Sequence, residues 1–349
     1  MKNFVCLLLL SGLALSRPCL ASGAEDGKAA ELARLNGDCD KAIELFTRAI
    51  AEELPRQKLI AAHELRGNCL TEKGQYDQAI GDFDIVLRMR PDEQEGLLGR
   101  GNAYAKRGDN GKAIQDYTEA LRLYPQFPEA HVDRGLVYKW TKQYDKAESD
   151  FNDALALRPN DENTLRSRGM LNLLMGRSDQ ALRDFDAAVK LNPDGLASRY
   201  GRGRALLLLG RFDAALPDFD HAFQKSGNNP RIAIWRYLAE VHAKVDGRDR
   251  LRGVLGATAG DWPMPILRYF VGDIGRPAVL SAADDADPGK RAGKLCEAYT
   301  YLGELDRARG GADAAAQSFR EAERICPAAY IESDVVIVEL KTLVGKVGP

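Results

Sequence analysis

The sequence predicts an all-α protein, an α-solenoid of stacked helical hairpins followed by a carboxy-terminal helical module. Three observations carry that prediction. The first is a fixed step of 34 residues, kept by Ala79, Ala113, Ala147, Ala181 and Ala215 and again by Gly67, Gly101, Gly135, Gly169 and Gly203. The second is an aromatic column in the same phase, Phe83, Tyr117, Phe151, Phe185 and Phe219, closed by Pro91, Pro125, Pro159 and Pro193. The third is the apolar three-four spacing on either side of Gly74, Gly108, Gly176 and Gly210, which marks two helices and a turn in each period.

Taken in order, the chain opens with Lys2, an apolar run over 4–15 and small residues at 21–24. A run of about 12 apolar residues is too short to span a bilayer, which needs roughly 20, and this layout is that of a cleaved export signal over 1–24. The product is expected to be exported, periplasmic and soluble. Residues 25–228 are expected to form about six repeats. The first is a worn copy near 23–56 that keeps Gly37, Ala42, Phe46 and Ala49. Small Gly and Ala columns mark places where helices approach closely, and the aromatic fills the space beside them.

Position seven of the first helix is Arg66, Arg100, Arg134, Arg168 and Arg202, and position twenty-three is Asp82, Asp116, Asp150, Asp184 and Asp218. In an antiparallel hairpin these positions lie at equal height, so each couple predicts a guanidinium–carboxylate contact that fixes register. The worn copies lose both partners together.

After Phe223 the register is expected to break, giving a separate module over 229–349. Within it, 230–245 reads as a helix, Asp261 as the N-cap of a helix with Pro263 in its first turn and an end near Gly272, and 281–290 as a surface turn of little order. Residues 291–327 repeat the hairpin in degenerate form, and 330–344 read as a closing helix over it.

With a charge balance of 49 basic against 51 acidic residues, the chain lacks the basic footprint of a nucleic-acid binder. His63, His131, His221 and His242 do not stand at metal-ligand spacing, and no nucleophile elbow, phosphate loop or zinc-protease motif occurs. The expectation is a non-enzyme with no cofactor or metal. Beyond the signal, Cys39, Cys69, Cys296 and Cys326 form an even set open to three pairings, or to buried thiols; each sequential couple is 30 positions apart.

Gly early, Ala in the middle, an aromatic four later and Pro at the end resemble the tetratricopeptide repeat. In such stacks the first helices line a concave groove that holds peptides. The groove positions here are Asn68, Asn102 and Arg204 at nine, Arg166 and Tyr200 at five, and Lys106, Lys139 and Trp140 at twelve or thirteen. That mixture suits a peptide with free backbone amides and acidic groups. Glu64 and Leu98 at position five disfavour the clamp that binds chaperone tails.

Trp262, Pro263, Pro265, Gly272, Cys296, Glu297, Tyr301, Gly303, Glu304 and Glu332 stand in an order similar to that of the NlpI-like periplasmic lipoproteins. This resemblance implies a homodimeric envelope adaptor that brings peptidoglycan endopeptidases to a tail-specific protease. The family's lipid anchor is not matched, because Cys19 follows Ser16, Arg17 and Pro18. A general scaffold for envelope assembly or secretion, binding peptides in the same groove, is the alternative.

Overall fold

The structure, a computed structural model, describes residues 17–52, 54–256, 261–326, 335, 336 and 338. The expected signal over 1–24 lies mostly outside them, as does most of the expected closing helix. Among the described residues all regular structure is helical. Contacts divide the chain into two compact units, Met1–Val137 and Tyr138–Pro349.

Helical hairpins come first: α1 (Arg17–Leu35) with α2 (Cys39–Ile50), α3 (Arg56–Glu72) with α4 (Tyr76–Met89), and α5 (Gln94–Arg107) with α6 (Asn110–Leu123). Then come α7 (Pro128–Trp140) and α8 (Tyr144–Leu157), followed by the hairpins of α9 (Glu162–Leu174) with α10 (Ser178–Leu191) and α11 (Leu196–Leu208) with α12 (Phe212–Lys225). In the first unit α2 packs on α3 and α4 on α5; in the second α10 packs on α11 and α12 on α13 (Pro230–His242).

Each turn is made the same way. The residue at position fifteen adopts a left-handed conformation, and the next N–H reaches back to close the helix, as in Gln75 N to Leu70 O and Arg211 N to Leu206 O, both 2.8 Å. Glycine fills this position at 37, 74, 108, 176, 210 and 310. Lys142 and Lys244 hold it with φ of 59°, where a side chain is disfavoured.

Lys244 corrects the expected break after Phe223. It stands one 34-residue step beyond Gly210, α13 starts one step beyond the start of α11, and Val245 N closes on Glu240 O at 2.8 Å. The array therefore supplies one more first helix, while the Gly and Ala columns that would reveal it are absent. Among the described residues no long partner helix follows. Instead come the short α14 (Arg248–Gly256), α15 (Met264–Val271) and α16 (Arg276–Ala282), then α17 (Pro288–Ala308) and α18 (Ala312–Ile325), which form the degenerate hairpin.

Two local expectations also change. Pro263 takes the N-cap position of α15, and Asp261 contributes its main-chain carbonyl to Met264 N at 2.8 Å without a side-chain cap. Residues 281–290 are built rather than loose: Asp287 caps α17 by accepting from Gly289 N and Lys290 N, and Asp285 accepts from Asp287 N and Lys294. Within the acidic run Asp287 caps the N-terminus of α17, whose first N–H groups lack helical partners, while Asp284 and Asp285 pair with Arg291 and Lys294.

The small and aromatic columns make the core. Phe46, Phe83, Tyr117, Phe151, Phe185, Phe219 and Phe319 are all buried. The Phe83 ring sits between Gly67 of its own hairpin and Gly99 of the next, where added Cβ atoms would lie 2.9 and 2.3 Å from it. Phe185 is held likewise by Gly169 and Gly201.

Candidate functional site

Four of the five expected Arg–Asp couples form within the units, and they do more than expected. Arg66 donates to Asp82 at 2.8 and 2.6 Å, Arg100 to Asp116 at 2.9 and 2.8 Å, Arg168 to Asp184 at 3.1 and 2.7 Å, and Arg202 to Asp218 at 2.6 and 2.7 Å. The remaining nitrogen, Nη1, reaches the second helix of the preceding hairpin: Arg66 to Thr47, Arg100 to Asp84, Arg134 to Thr118, Arg168 to Asn152 and Arg202 to Asp186. Arg236 continues the column toward Asp220 at 3.4 Å. One planar fork thus fixes both the turn within a hairpin and the step to its neighbour. The basic column is consumed by structure, and so is His63, whose Nδ1 lies 2.8 Å from Asp82. Burial pushes the Asp82 carboxyl up, but the Arg66 and His63 bonds outweigh it and hold it below the usual range.

The expected groove residues fall into both units and differ in availability. In the first unit Asn68 and Lys106 are exposed, whereas Asn102 is half-buried and accepts from the Tyr117 hydroxyl at 2.5 Å. Asn102 also bonds the Asp133 carboxyl. In the second unit Trp140 is 57% exposed, Lys139 and Arg166 are half-buried, and Arg166 donates to Asn163 at 3.1 Å. Tyr200 lies edge-on to Phe219 at 6.2 Å. Arg204 is not on an open face: it is 4% exposed, with its guanidinium over Trp235 at 5.4 Å.

In the first unit the carboxylates around these positions are close enough to perturb one another. Burial, then Glu93 and Glu95, push Glu64 up to about 7. Burial, with Glu129 and Glu93, raises Glu95. Asp133 is pushed up to about 6, chiefly by burial, with Glu129 adding to the rise and Asn102 and Lys106 opposing it. This face is acidic, opposite in sign to the one expected from Asn68, Asn102 and Lys106. The signal was present in the sequence, since Glu95 and Glu129 occupy position two, a groove position.

In the second unit two of the residues quoted for the envelope-adaptor resemblance, Trp262 and Glu297, meet. Arg231 donates to Glu297 at 2.9 and 2.8 Å and Trp262 Nε1 at 3.2 Å, joining α13, α17 and the segment before α15. Tyr301 packs edge-on to Trp235 at 5.8 Å. Glu304 is buried and accepts from Arg307 at 2.8 Å. His242 stacks on Phe212 at 4.5 Å, and burial followed by Arg307 pushes it down to about 4, so the ring is neutral at pH 7.

The three open cysteine pairings reduce to one bonded pair. Cys296 and Cys326 form a disulfide that joins the first residues of the degenerate hairpin to its last. Cys39 and Cys69 are buried thiols with sulfurs 2.8 Å apart, and Cys39 donates to Glu72 at 3.1 Å. Burial, then the bonds to Cys69 and Glu72, push the Cys39 thiol up to about 12.

Residues 28–93 and 168–230 match a family model described as tetratricopeptide repeat, 128–161 match a second of the same description, and 101–139 match one described as TPR repeat. No curated protein matches the chain. Among solved structures, a tetratricopeptide repeat protein from Parabacteroides merdae is 18% identical, covers 93% of this chain and 99% of its own, and superposes with a TM-score of 0.50. TTC0263, a thermophilic TPR protein of Thermus thermophilus, is 24% identical over 53% of this chain and 99% of its own, with a TM-score of 0.46. YrrB, a TPR protein with an unusual peptide-binding site, is 22% identical over 58% of this chain and 99% of its own, with a TM-score of 0.43. At these identities the likeness is one of fold. The chain is a tetratricopeptide-repeat protein, a class of protein-binding scaffolds.

Proposed function

We propose that this scaffold is an exported adaptor of the bacterial envelope, holding one protein in its repeat groove and a second on its carboxy-terminal module. The plausible pair is a peptidoglycan hydrolase and a tail-specific protease. The Cys296–Cys326 disulfide is the observation that carries the reading, because such bonds persist in oxidising compartments and are rare in the cytosol. The apolar run over 4–15 and the convergence of Trp262, Arg231 and Glu297 support it further. On the acidic face of the first unit, Glu64, Glu95 and Asp133 favour a partner segment bearing Lys or Arg.

Crosslinking in the native envelope followed by mass spectrometry tests this reading. It is supported by recovery of a wall hydrolase and a protease with the chain. Recovery of only outer-membrane assembly or secretion components would replace it with the general-scaffold reading.

A further inference from the structure

Positions nine, twelve and thirteen of a first helix face the groove in this fold, and in α11 they are Arg204, Leu207 and Leu208. Arg204 and Leu207 are buried and Leu208 is half-buried. Together with Trp235 they line an enclosed void of about 10 Å³ whose other wall is Val335 and Val338. Both valines are helical, 3% exposed and three residues apart, the spacing of a helix laid in a groove by its apolar face. Val335 and Val338 therefore occupy the place where a bound peptide would lie.

The fit is apolar but incomplete in charge. Arg204 is buried, yet its Nη1 has no hydrogen-bond partner, and stacking on Trp235 is the contact it makes instead. A buried guanidinium nitrogen without an acceptor costs free energy that a carboxylate at the same place would recover. The void is about the size of one water molecule, too small to admit a carboxyl group beside the valines. An outside helix that supplied both the apolar contacts and an acid would be the better occupant.

We propose that the helical stretch of Val335 and Val338 is a resident ligand of this face, displaced by a partner's apolar helical segment that carries a carboxylate to Arg204. This rests on the groove-binding reading above and adds to it the chemistry of one ligand and a competitor built into the chain.

The test uses the full chain and a fluorescent synthetic peptide of residues 330–344, read by anisotropy. The V335D/V338D chain, with its own segment expelled, is expected to bind the peptide at least tenfold more tightly than the wild type does. A tethered segment competes at an effective concentration of about millimolar. Peptides with Lys at both valine positions should not bind. Among peptides in which each position in turn carries Glu, one should bind more tightly than the parent and lose that gain when Arg204→Met is added.

Equal affinity of folded wild-type and V335D/V338D chains would overturn the proposal, as would the absence of any acidic gain. If the double variant does not fold, R204M in the otherwise native chain decides. Removal of an unpaired buried charge is expected to raise Tm, and a lowered Tm would show that Arg204 is satisfied where it lies. Failure of the adaptor reading would look different: no envelope partner crosslinks to either chain, whatever the peptide does.

Discussion

Hairpins α3/α4, α5/α6, α9/α10 and α11/α12 are held by one set of contacts used again and again, whereas α13 to α18 keep traces of that set, Arg236 with Asp220 and Gly303 with Phe319, and add contacts each used once. In the former, an Arg fork grips two second helices, and an aromatic ring fits against one glycine, as Tyr117 on Gly101, or between two, as Phe83 and Phe185 do. In the latter, Glu297 gathers Arg231 and Trp262, Arg276 binds Asp306 at 2.8 Å, and a disulfide closes the last hairpin. A repeated contact can lose one copy and leave its neighbours in register. A contact used once has no substitute, so the module depends on fewer and individually more critical groups.

The largest expected effect breaks one rung of the repeated set. Asp218 is nearly inaccessible and accepts from both Arg199 and Arg202, so Asp218→Ala leaves two guanidinium groups without their acceptor. A loss of about 3–5 kcal/mol in urea unfolding is expected. A loss below about 1 kcal/mol would mean that the ladder is surface decoration.

Next comes the disulfide. Opening the Cys296–Cys326 loop, with its sequence separation of 30, should cost roughly 3 kcal/mol by the chain-entropy estimate, measured by unfolding with and without reductant. The same experiment sharpens the comparison at the other end of the chain. Alkylation of the denatured, unreduced protein should label Cys39 and Cys69 and spare Cys296 and Cys326. Failure to label Cys39 and Cys69 would show that both ends of the chain are stapled.

Overpacking the aromatic slot should cost less. Gly99→Ala places a methyl group 2.3 Å from the Phe83 ring, and about 1–3 kcal/mol should be lost. Gly81, which has open space in mid-helix, should gain up to about 1 kcal/mol on the same change.

The smallest effect depends on pH. Asp133 has a folded-state pKa of about 6, above its ordinary 3.8, so its contribution to stability is fully present below 3.8 and is lost as pH rises through 6. Asp133→Asn should therefore be more stable than wild type above pH 6, by on the order of 1 kcal/mol, with the gap closing below pH 4. Thermal unfolding across that range would reveal the crossover, and a constant gap would remove Asp133 as its source.

The difference between the two regions also explains what could be read in advance. The Arg66–Asp82 and Arg202–Asp218 couples were legible because position and residue type recur together. The second reach of each fork, to Thr47, Asp84, Thr118, Asn152 and Asp186, was not, because its acceptors share a place but not a chemistry. Lys244 hid a turn, since the left-handed position is normally marked by glycine, whereas Gly135 and Ala147 still revealed the repeat that turns at Lys142. Of the groove residues, Trp140 and Lys106 are open, whereas Arg204 is covered by residues more than a hundred positions away.

The sequence by itself determined the hairpin, its period and the pairing of Arg with Asp, because those depend on helix geometry and on side chains brought close by a single turn. Tertiary structure alone decided which faces are available. The charge of the first unit's groove arises from Glu64, Glu93, Glu95, Glu129 and Asp133 acting together, and Arg204 is shielded by Val335 and Val338 from the far end of the chain. Electrostatic coupling and burial depend on distance through space, and no spacing along the chain records that distance.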